Sequence, residues 1–186
     1  MKPLLKPLLL ACALPITVVL VTGCRQQTNA PDAQTAAPAT ASSPPAPAAA
    51  ESEHLRTIAD YMAAWNAHDA DKAGSFFAED GVYFDASVGK PQQGRQAATD
   101  NVIKVFLHAV PDAKWTMRGP AIANADGIAF EWHFSGTNTG DWSADTKATG
   151  KPLDLDGVSI VRIKDGKIAY QGDYYDAATL NKEMGW

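Results

Sequence analysis

The chain has 186 residues, of which 46% are hydrophobic, and a formal net charge of −5 at pH 7. This length and composition predict one globular domain. The charge is mild and Lys and Arg form no clusters, which excludes the basic surface that nucleic-acid binding requires, so no nucleic-acid partner is expected.

The first 24 residues have the layout of an export signal, in which two lysines precede an apolar run, small residues and a cysteine. The segment Val-Thr-Gly-Cys at 21–24 resembles the lipobox of bacterial lipoproteins, where a signal peptidase cuts before a cysteine that carries diacylglycerol. The resemblance implies a signal peptide over residues 1–23 and a membrane anchor on Cys24. A transmembrane anchor is the alternative, but Pro15 breaks the run, which is short against the roughly 20 apolar residues that span a bilayer.

The mature chain is predicted to keep one cysteine, Cys24, because Cys12 lies within the signal peptide, so neither a disulfide nor a cysteine metal site is expected. Arg25 after the lipidated cysteine implies, by the same resemblance, an outer-membrane destination facing the periplasm of a Gram-negative cell. Residues 24–51 are rich in Ala, Pro, Ser and Thr and have no aromatic residue. Such a segment buries too little apolar surface to fold, so it is predicted to be a disordered tether.

Three helices are predicted at the start of the folded part, residues 52–186. The first begins at an N-cap, Ser52, and has apolar residues at helical spacing. The second is short, carries Phe76 and Phe77, and ends near Gly81. The third occupies residues 95–110 and is stopped by Pro111.

In the rest of the chain apolar residues recur at every second position, which is the period of a β-strand. A strand at VYFDA precedes the third helix, and four strand-like runs follow that helix. Asp165 and Gly166 predict a two-residue type I′ hairpin turn, and Asp176 is predicted to cap a short last helix. These elements predict an α+β domain in which three N-terminal helices pack on a curved, mostly antiparallel sheet that can leave a conical cavity for a ligand.

The order of elements and five short motifs resemble the nuclear transport factor 2-like superfamily, and within it the SnoaL-like polyketide cyclases and ester cyclases. The motifs are WNAHD at 65–69, FAEDGV at 77–82, GRQA at 94–97, GTNTG at 136–140 and RIKDGKI at 162–168. In these cyclases an Asp after the "DGKI" strand acts as general acid/base in an aldol ring closure, and the corresponding residue is Asp173. The cyclases can also place a His on the preceding strand, where this chain has Ser159. A hydroxyl cannot take up a proton near neutral pH as imidazole does.

Strand alternation puts Gln171, Asp173 and Tyr175 on one face of the last strand. Ser159 lies near Asp173 if the hairpin pairs as the resemblance implies. A carboxylate among apolar walls has its pKa raised toward the range of a useful base. The alternative is that Asp173 is a strand-end residue that satisfies a turn amide or an arginine.

Five further residues are candidates for the site. His133 is either a second acid/base group or ligand, or a cross-strand packing or surface residue that can pair with Glu131 on the same face of its strand. Asp85 either faces the cavity mouth or starts a loop. The aromatic residues Tyr61, Trp65 and Phe106 either line a pocket for a flat apolar ligand or belong to the core.

The four histidines show no metal-binding spacing, and the nucleophile-elbow, phosphate-loop and dinucleotide motifs are absent from the sequence. No metal and no cofactor are therefore expected. Two functions remain open: cofactor-free acid/base chemistry on a small hydrophobic carbonyl compound, or a non-catalytic module that binds a ligand or a protein. The resemblance further implies a homodimer formed through the open face of the sheet.

Overall fold

The computed structural model describes residues 47–186. The predicted signal peptide, Cys24 and the predicted tether up to residue 46 lie outside these residues. No helix within residues 47–186 has the length and apolar character that crossing a membrane demands.

Helix α1 (Pro47–Asn66) begins five residues before the predicted N-cap. Pro47 occupies the first turn, where a missing N–H costs nothing, and the alanines that follow it are the strongest helix formers. Ser52 therefore lies inside the helix, and its hydroxyl donates to the carbonyl of Ala48 at 2.8 Å. The predicted start at Ser52 is wrong because the alanine-rich end of the tether continues the helix.

The second helix is shorter than predicted. Helix α2 (Ala70–Gly74) is capped by Asp69, whose side chain accepts from the Lys72 amide. Phe77, which was expected in this helix, opens strand β1 (Phe77–Asp85) and pairs with Ile168. Phe77 is fully buried, so pairing with the sheet and burial outweigh the local helical spacing.

The third helix is confirmed, with a local irregularity. Helix α3 (Arg95–Ala98) continues through a π-helical turn (Thr99–Ile103) into α4 (Lys104–Ala109). Thr99 lies against Gly74 of α2, and a Cβ at Gly74 would stand 2.1 Å from the Thr99 hydroxyl oxygen. The glycine thus permits close packing of α2 on the start of the π turn.

One mixed sheet of six strands packs against these helices. Its remaining strands are β2 (Gln92–Gln93), β3 (Lys114–Asn124), β4 (Gly127–Thr137), β5 (Pro152–Lys164) and β6 (Lys167–Tyr175). The spatial order is β2-β1-β6-β5-β4-β3, and every neighbouring pair is antiparallel except β1 and β6. The sheet is curved. The α+β class and the mostly antiparallel sheet are confirmed, whereas the two-residue β2 was not predicted.

The turn and cap predictions near the C-terminus are also confirmed. Asp165 and Gly166 have φ of 51° and 69°, the left-handed values that a type I′ turn needs. Asp176 accepts from the Ala178 amide and caps the last helix, α5 (Ala177–Met184). These local elements place β5 and β6 side by side in the register on which the site depends.

The helices cover one face of the sheet, and the core lies between them. The opposite face carries partly exposed apolar side chains, namely Ile122, Val158, Ile160 and Tyr174. Hydrophobic side chains therefore lie on both faces of the sheet, although only the inner face is covered within residues 47–186.

Candidate functional site

A narrow cavity of about 30 Å³ lies between the helices and the inner face of the sheet. This volume is the room that about one or two water molecules need. The cavity is lined by Trp65, Tyr83, Asp85, Phe106, Trp115, Trp132, Phe134, Leu155, Asp173 and Tyr175. The lining is mainly aromatic, with two carboxylates as its charged groups.

Asp173 is held by three hydrogen-bond donors. Its Oδ1 accepts from the Ser159 hydroxyl at 2.6 Å and its Oδ2 accepts from the Tyr83 hydroxyl at 2.6 Å. The Gln171 amide donates to both oxygens, at 3.1 and 3.0 Å. Ser159 and Asp173 are direct partners across β5 and β6, which confirms the expected proximity. Both oxygens of Asp173 are thus occupied by protein donors.

Burial first, and then the charge of Asp85, raise the pKa of Asp173 from 3.8 to about 7. The hydrogen bonds from Ser159, Tyr83 and Gln171 oppose this rise, because they favour the ionised form. The carboxyl group therefore titrates near neutral pH, which is the range in which a general acid or base works best.

Asp85 has a different hydrogen-bonding pattern. Its Oδ1 accepts from the Ser87 amide and hydroxyl, the Val88 amide and the Tyr175 hydroxyl, at 2.6 to 3.3 Å. Its Oδ2 accepts no hydrogen bond from any residue in the described part of the chain. Burial raises the pKa of Asp85, and the bonds to Ser87, Tyr175 and Val88 lower it. Oδ1 of Asp85 therefore holds the turn that follows β1. Oδ2 has no donor within residues 47–186, and the residue lines the cavity.

Two tryptophans that line the cavity carry unpartnered donors. The indole N–H groups of Trp65 and Trp132 are buried and find no hydrogen-bond acceptor among residues 47–186. An unpaired buried N–H is costly, and native structures contain few of them. A ligand oxygen near either ring would supply the missing acceptor after a small movement of the side chain.

The aromatic walls of the cavity, here Trp65, Trp115, Trp132 and Tyr175, meet at steep angles. The ring centroids of Trp65 and Trp115 are 5.5 Å apart with planes at 65°, and those of Trp115 and Trp132 are 6.3 Å apart at 77°. The ring centroids of Trp132 and Tyr175 are 5.8 Å apart, and their planes meet at 65°. Consecutive rings therefore form adjacent sides of a box-shaped space.

His133 does not join this site. It lies on the outer face of β4, between the buried Trp132 and Phe134, whose side chains face the helices. Its Nδ1 is 3.0 Å from Asp156 and 3.3 Å from the guanidinium of Arg118. Of the two alternatives for His133, a role as a second acid/base group in this cavity is wrong, because β4 alternation points the imidazole away from it. Its cross-strand partner on β5 is Asp156, and within residues 47–186 it forms no hydrogen bond with Glu131.

The predicted ligand-contacting residues divide into two groups. Trp65, Asp85, Phe106 and Tyr175 line the cavity. Tyr61 and Gln171 do not, and both are fully buried behind it. Tyr61 packs edge-on against Trp65 and Trp115, and Gln171 supports Asp173. These two residues belong to the supporting layer of the site.

Three residues of the cavity lining, Tyr83, Trp115 and Trp132, were not predicted from the sequence as site residues. Tyr83 alternates with Asp85 along β1, so strand periodicity places both on one face, but no motif marks the tyrosine. Trp115 and Trp132, which no sequence motif marks, belong to the core and also line the cavity. Within residues 47–186, no group of three His, Cys, Asp or Glu residues has the geometry to hold a metal ion.

The fold and the cavity define a nuclear transport factor 2-like α+β protein with a buried pair of carboxylates. The chain belongs to the SnoaL-like domain family, whose profile matches residues 58–171. No curated protein is detectably similar to it in sequence.

Solved structures of the same fold include several polyketide cyclase candidates. One, described as a candidate SnoaL-like polyketide cyclase from Jannaschia sp. CCS1, is 12% identical with a TM-score of 0.63, over 72% of this chain and 92% of that chain. A second candidate polyketide cyclase, from Xanthomonas campestris pv. campestris, is 21% identical with a TM-score of 0.60, over 73% and 98%.

A third neighbour is a protein with a ketosteroid isomerase-like fold from Catenulispora acidiphila, in complex with trimethylamine. It is 20% identical with a TM-score of 0.58, over 69% of this chain and 92% of that chain. At such identities the three structures show a shared fold.

Proposed function

We propose that this domain carries out cofactor-free acid/base chemistry, of the cyclase or isomerase type, on a small hydrophobic carbonyl compound. The observation that carries the proposal is the pair of buried carboxylates, Asp85 and Asp173, in an aromatic cavity. Buried carboxyl groups with raised pKa values are frequent in catalytic sites. The polyketide and ester cyclases of the family suggest a polyketide, an ester or a steroid-like molecule as the substrate class.

The hydrogen bonds suggest how the two carboxylates divide the work. The free Oδ2 of Asp85 is available to take a proton from the carbon next to a carbonyl. Asp173, with a pKa of about 7, is the acid/base group that exchanges a proton near neutral pH, once Ser159 or Tyr83 turns its hydroxyl away. The proton then returns to another carbon in an isomerase, or to the new alkoxide oxygen in an aldol cyclisation.

The developing negative charge on the substrate oxygen requires a donor. The indole N–H groups of Trp65 and Trp132, which have no acceptor among residues 47–186, are the candidates within the lining. Hydrogen-bond donors aimed at a developing oxyanion are among the largest contributions to catalysis. This arrangement requires no metal and no cofactor.

The volume of the cavity restricts the size of the substrate. A cavity of about 30 Å³ is about one fifth of the roughly 150 Å³ that holds benzene in an engineered protein cavity. A ring-containing substrate therefore has to displace the aromatic walls outward. A smaller compound enters without such movement.

The alternative proposal is a binding module with the same cavity and no turnover. The replacement of the cyclase His by Ser159 favours this alternative, because the hydroxyl cannot serve as a proton acceptor near neutral pH. Under this proposal Asp173 and its three donors hold β1, β5 and β6 in register, and the cavity selects a small ligand.

The test combines binding and turnover by the full chain. Wild type, Asp85→Asn and Asp173→Asn are incubated with a panel of apolar carbonyl compounds, with Asp156→Asn on the outer sheet face as the matched control. Catalysis predicts that the two cavity variants keep their affinity and lose turnover by at least about 100-fold, as for removal of a general base. Binding by all four proteins without any product would support the binding module instead.

We further propose that the domain is held in the cell envelope as a lipoprotein, anchored through Cys24 and facing the periplasm from the outer membrane. The support is the signal-like first 24 residues and the lipobox-like sequence before the cysteine. A periplasmic location would bring the cavity into contact with small molecules that enter the envelope.

We also propose that two copies associate through the outer face of the sheet. Ile160 and Tyr174 are 45% and 43% exposed on that face, beside Val158. Apolar residues grouped in this way are typical of protein interfaces. The polar groups around them, Arg118 and Asp156, form an ion pair of the kind found at an interface rim.

A further inference from the structure

The charges inside the cavity are unbalanced. Asp85 and Asp173 supply two carboxylates, whereas the lining contains no Lys, Arg or His. Within residues 47–186 neither carboxylate forms a salt bridge; the ion pairs of this part of the chain involve other residues. A buried charge without an opposite partner is costly. A positively charged ligand would offset that cost.

The walls of the cavity favour the same kind of ligand. The rings of Trp65, Trp115, Trp132 and Tyr175 follow one another at 65° to 77°. Aromatic faces carry negative electrostatic potential and attract ammonium groups, most strongly where water is excluded. Three of the seven aromatic residues in the lining are tryptophans, the ring type that binds cations best.

One carboxylate oxygen remains available for a direct contact. Oδ1 of Asp85 already accepts four hydrogen bonds, from Ser87, Val88 and Tyr175, which fix the carboxylate in place. Oδ2 accepts none within the described residues. Asp85 is 3% exposed, so an N–H donor at Oδ2 would form a charge-assisted bond screened from bulk water.

We propose that the cavity takes a small organic ammonium group, a primary or methylated amine, held between the four aromatic walls and Oδ2 of Asp85. The inference rests on the proposed function in that both treat this cavity as the ligand site, and it adds the class of the ligand. Oδ2 of Asp85 cannot contact an ammonium N–H and take a proton from carbon at the same time, so for a compound that carries both an ammonium group and a carbonyl Asp173 is the acid/base group. The volume of about 30 Å³ restricts the part that enters to a headgroup of a few atoms.

Matched pairs of charged and neutral probes test this inference. The full chain is purified in a maltoside detergent, whose headgroup carries no charge, and is titrated at pH 8 with tryptophan emission as the readout. Choline is compared with 3,3-dimethylbutan-1-ol, its neutral isostere, and methylammonium is compared with methanol. We expect at least one cation to bind about tenfold or more tightly than its neutral partner, a difference of about 1.4 kcal/mol.

Two variants locate the charge that matters. Asp85→Asn keeps the shape of the side chain and is expected to weaken binding of the cation about tenfold while leaving the neutral partner unchanged. Asp156→Asn, which removes a carboxylate on the outer face, is expected to change neither. The comparison of probes on the wild-type protein does not depend on a variant, so a folding defect in Asp85→Asn would leave the test intact.

The results separate this inference from the proposed function. Equal affinities within both probe pairs, together with turnover of the carbonyl panel, would overturn the ammonium site and leave acid/base catalysis standing. Cation binding that is unchanged in a folded Asp85→Asn protein would also overturn it. If none of the four probes binds and no carbonyl compound binds or reacts, both proposals fail.

Discussion

Asp85 and Asp173 are direct partners in neighbouring parallel strands, β1 and β6, and both carboxylates line the same cavity. They differ in their hydrogen bonds, since both oxygens of Asp173 are occupied by donors whereas Oδ2 of Asp85 accepts none from residues 47–186. The charge of Asp85 raises the pKa of Asp173, so the protonation of one depends on the other. A ligand that binds at Asp85 should therefore change the titration of Asp173.

The stability of the folded domain should fall as the pH rises from about 4 to about 7. The pKa of Asp173 is about 7 in the folded protein against 3.8 for an aspartate in an unfolded chain, so the folded state holds this proton more tightly than the unfolded state. The proton on Asp173 stabilises the folded state fully below pH 4. This stabilisation, roughly 4 kcal/mol, is lost as the pH rises through 7. Urea unfolding from pH 4 to 8 measures it. Asp173→Asn should reduce this slope and leave the part that comes from the raised pKa of Asp85, and an equal slope in the variant would contradict the prediction.

Ser159→Ala should raise the pKa of Asp173 above its wild-type value. Ser159 is fully buried and its hydroxyl bond favours the ionised carboxylate, so its loss favours the protonated form. The free energy of unfolding should fall by about 1–3 kcal/mol. Carboxyl ¹³C NMR titration measures the pKa, with the signal assigned from Asp173→Asn. Ser143→Ala, in the loop after β4, serves as the control, and an unchanged pKa in Ser159→Ala would show that the hydroxyl has no such role.

Gly157→Ala should displace a wall of the cavity. A Cβ at Gly157 would lie 2.3 Å from Cζ2 of Trp132, so the indole has to move. Overpacking of this kind costs about 1–3 kcal/mol. We expect a lower melting temperature and a shifted tryptophan emission, whereas Val158→Ala, the neighbouring exposed position, should change both much less. If Gly157→Ala has the melting temperature and the tryptophan emission of the wild type, the indole of Trp132 can move aside without cost, which contradicts the prediction.

Ile160→Lys should dissociate the proposed dimer. Ile160 is 45% exposed at the outer face of β5, and a lysine would place a charge in the apolar centre of the interface. Sedimentation equilibrium of the full chain gives the oligomeric state. Leu55→Lys is a matched control, because Leu55 is 43% exposed but lies on α1. A wild-type chain that is monomeric at micromolar concentration would rule out this interface.

Cys24→Ser should release the protein from the membrane. The lipobox-like sequence implies that diacylglycerol is attached to this cysteine, and two or more acyl chains anchor a protein stably. Metabolic labelling with an alkyne fatty acid and membrane fractionation measure the effect. Cys12→Ser, within the predicted signal peptide, should retain both the label and the membrane location. Membrane attachment that survives Cys24→Ser would argue for another anchor.

Much of the architecture follows from local sequence. The hairpin at Asp165 and Gly166, the cap at Asp176, the third helix and the four long strands after it are encoded by short-range turn chemistry and periodicity. The predicted bounds of elements were wrong where strand pairing with distant residues competes with the local preference for a helix. Phe77 has helical spacing with its neighbours but joins β1, since pairing with β6 and full burial favour the strand.

For the site, the sequence by itself determined that Asp173, Gln171 and Tyr175 share a face, because strand alternation has a fixed period of two. The family motif, together with the hairpin, placed Ser159 opposite Asp173. Only the tertiary structure decided that Asp85 is the second carboxylate and that His133 is excluded. The parallel contact between β1 and β6 joins residues 88 positions apart, and the sheet face on which each strand presents its side chains depends on the packing of the whole domain.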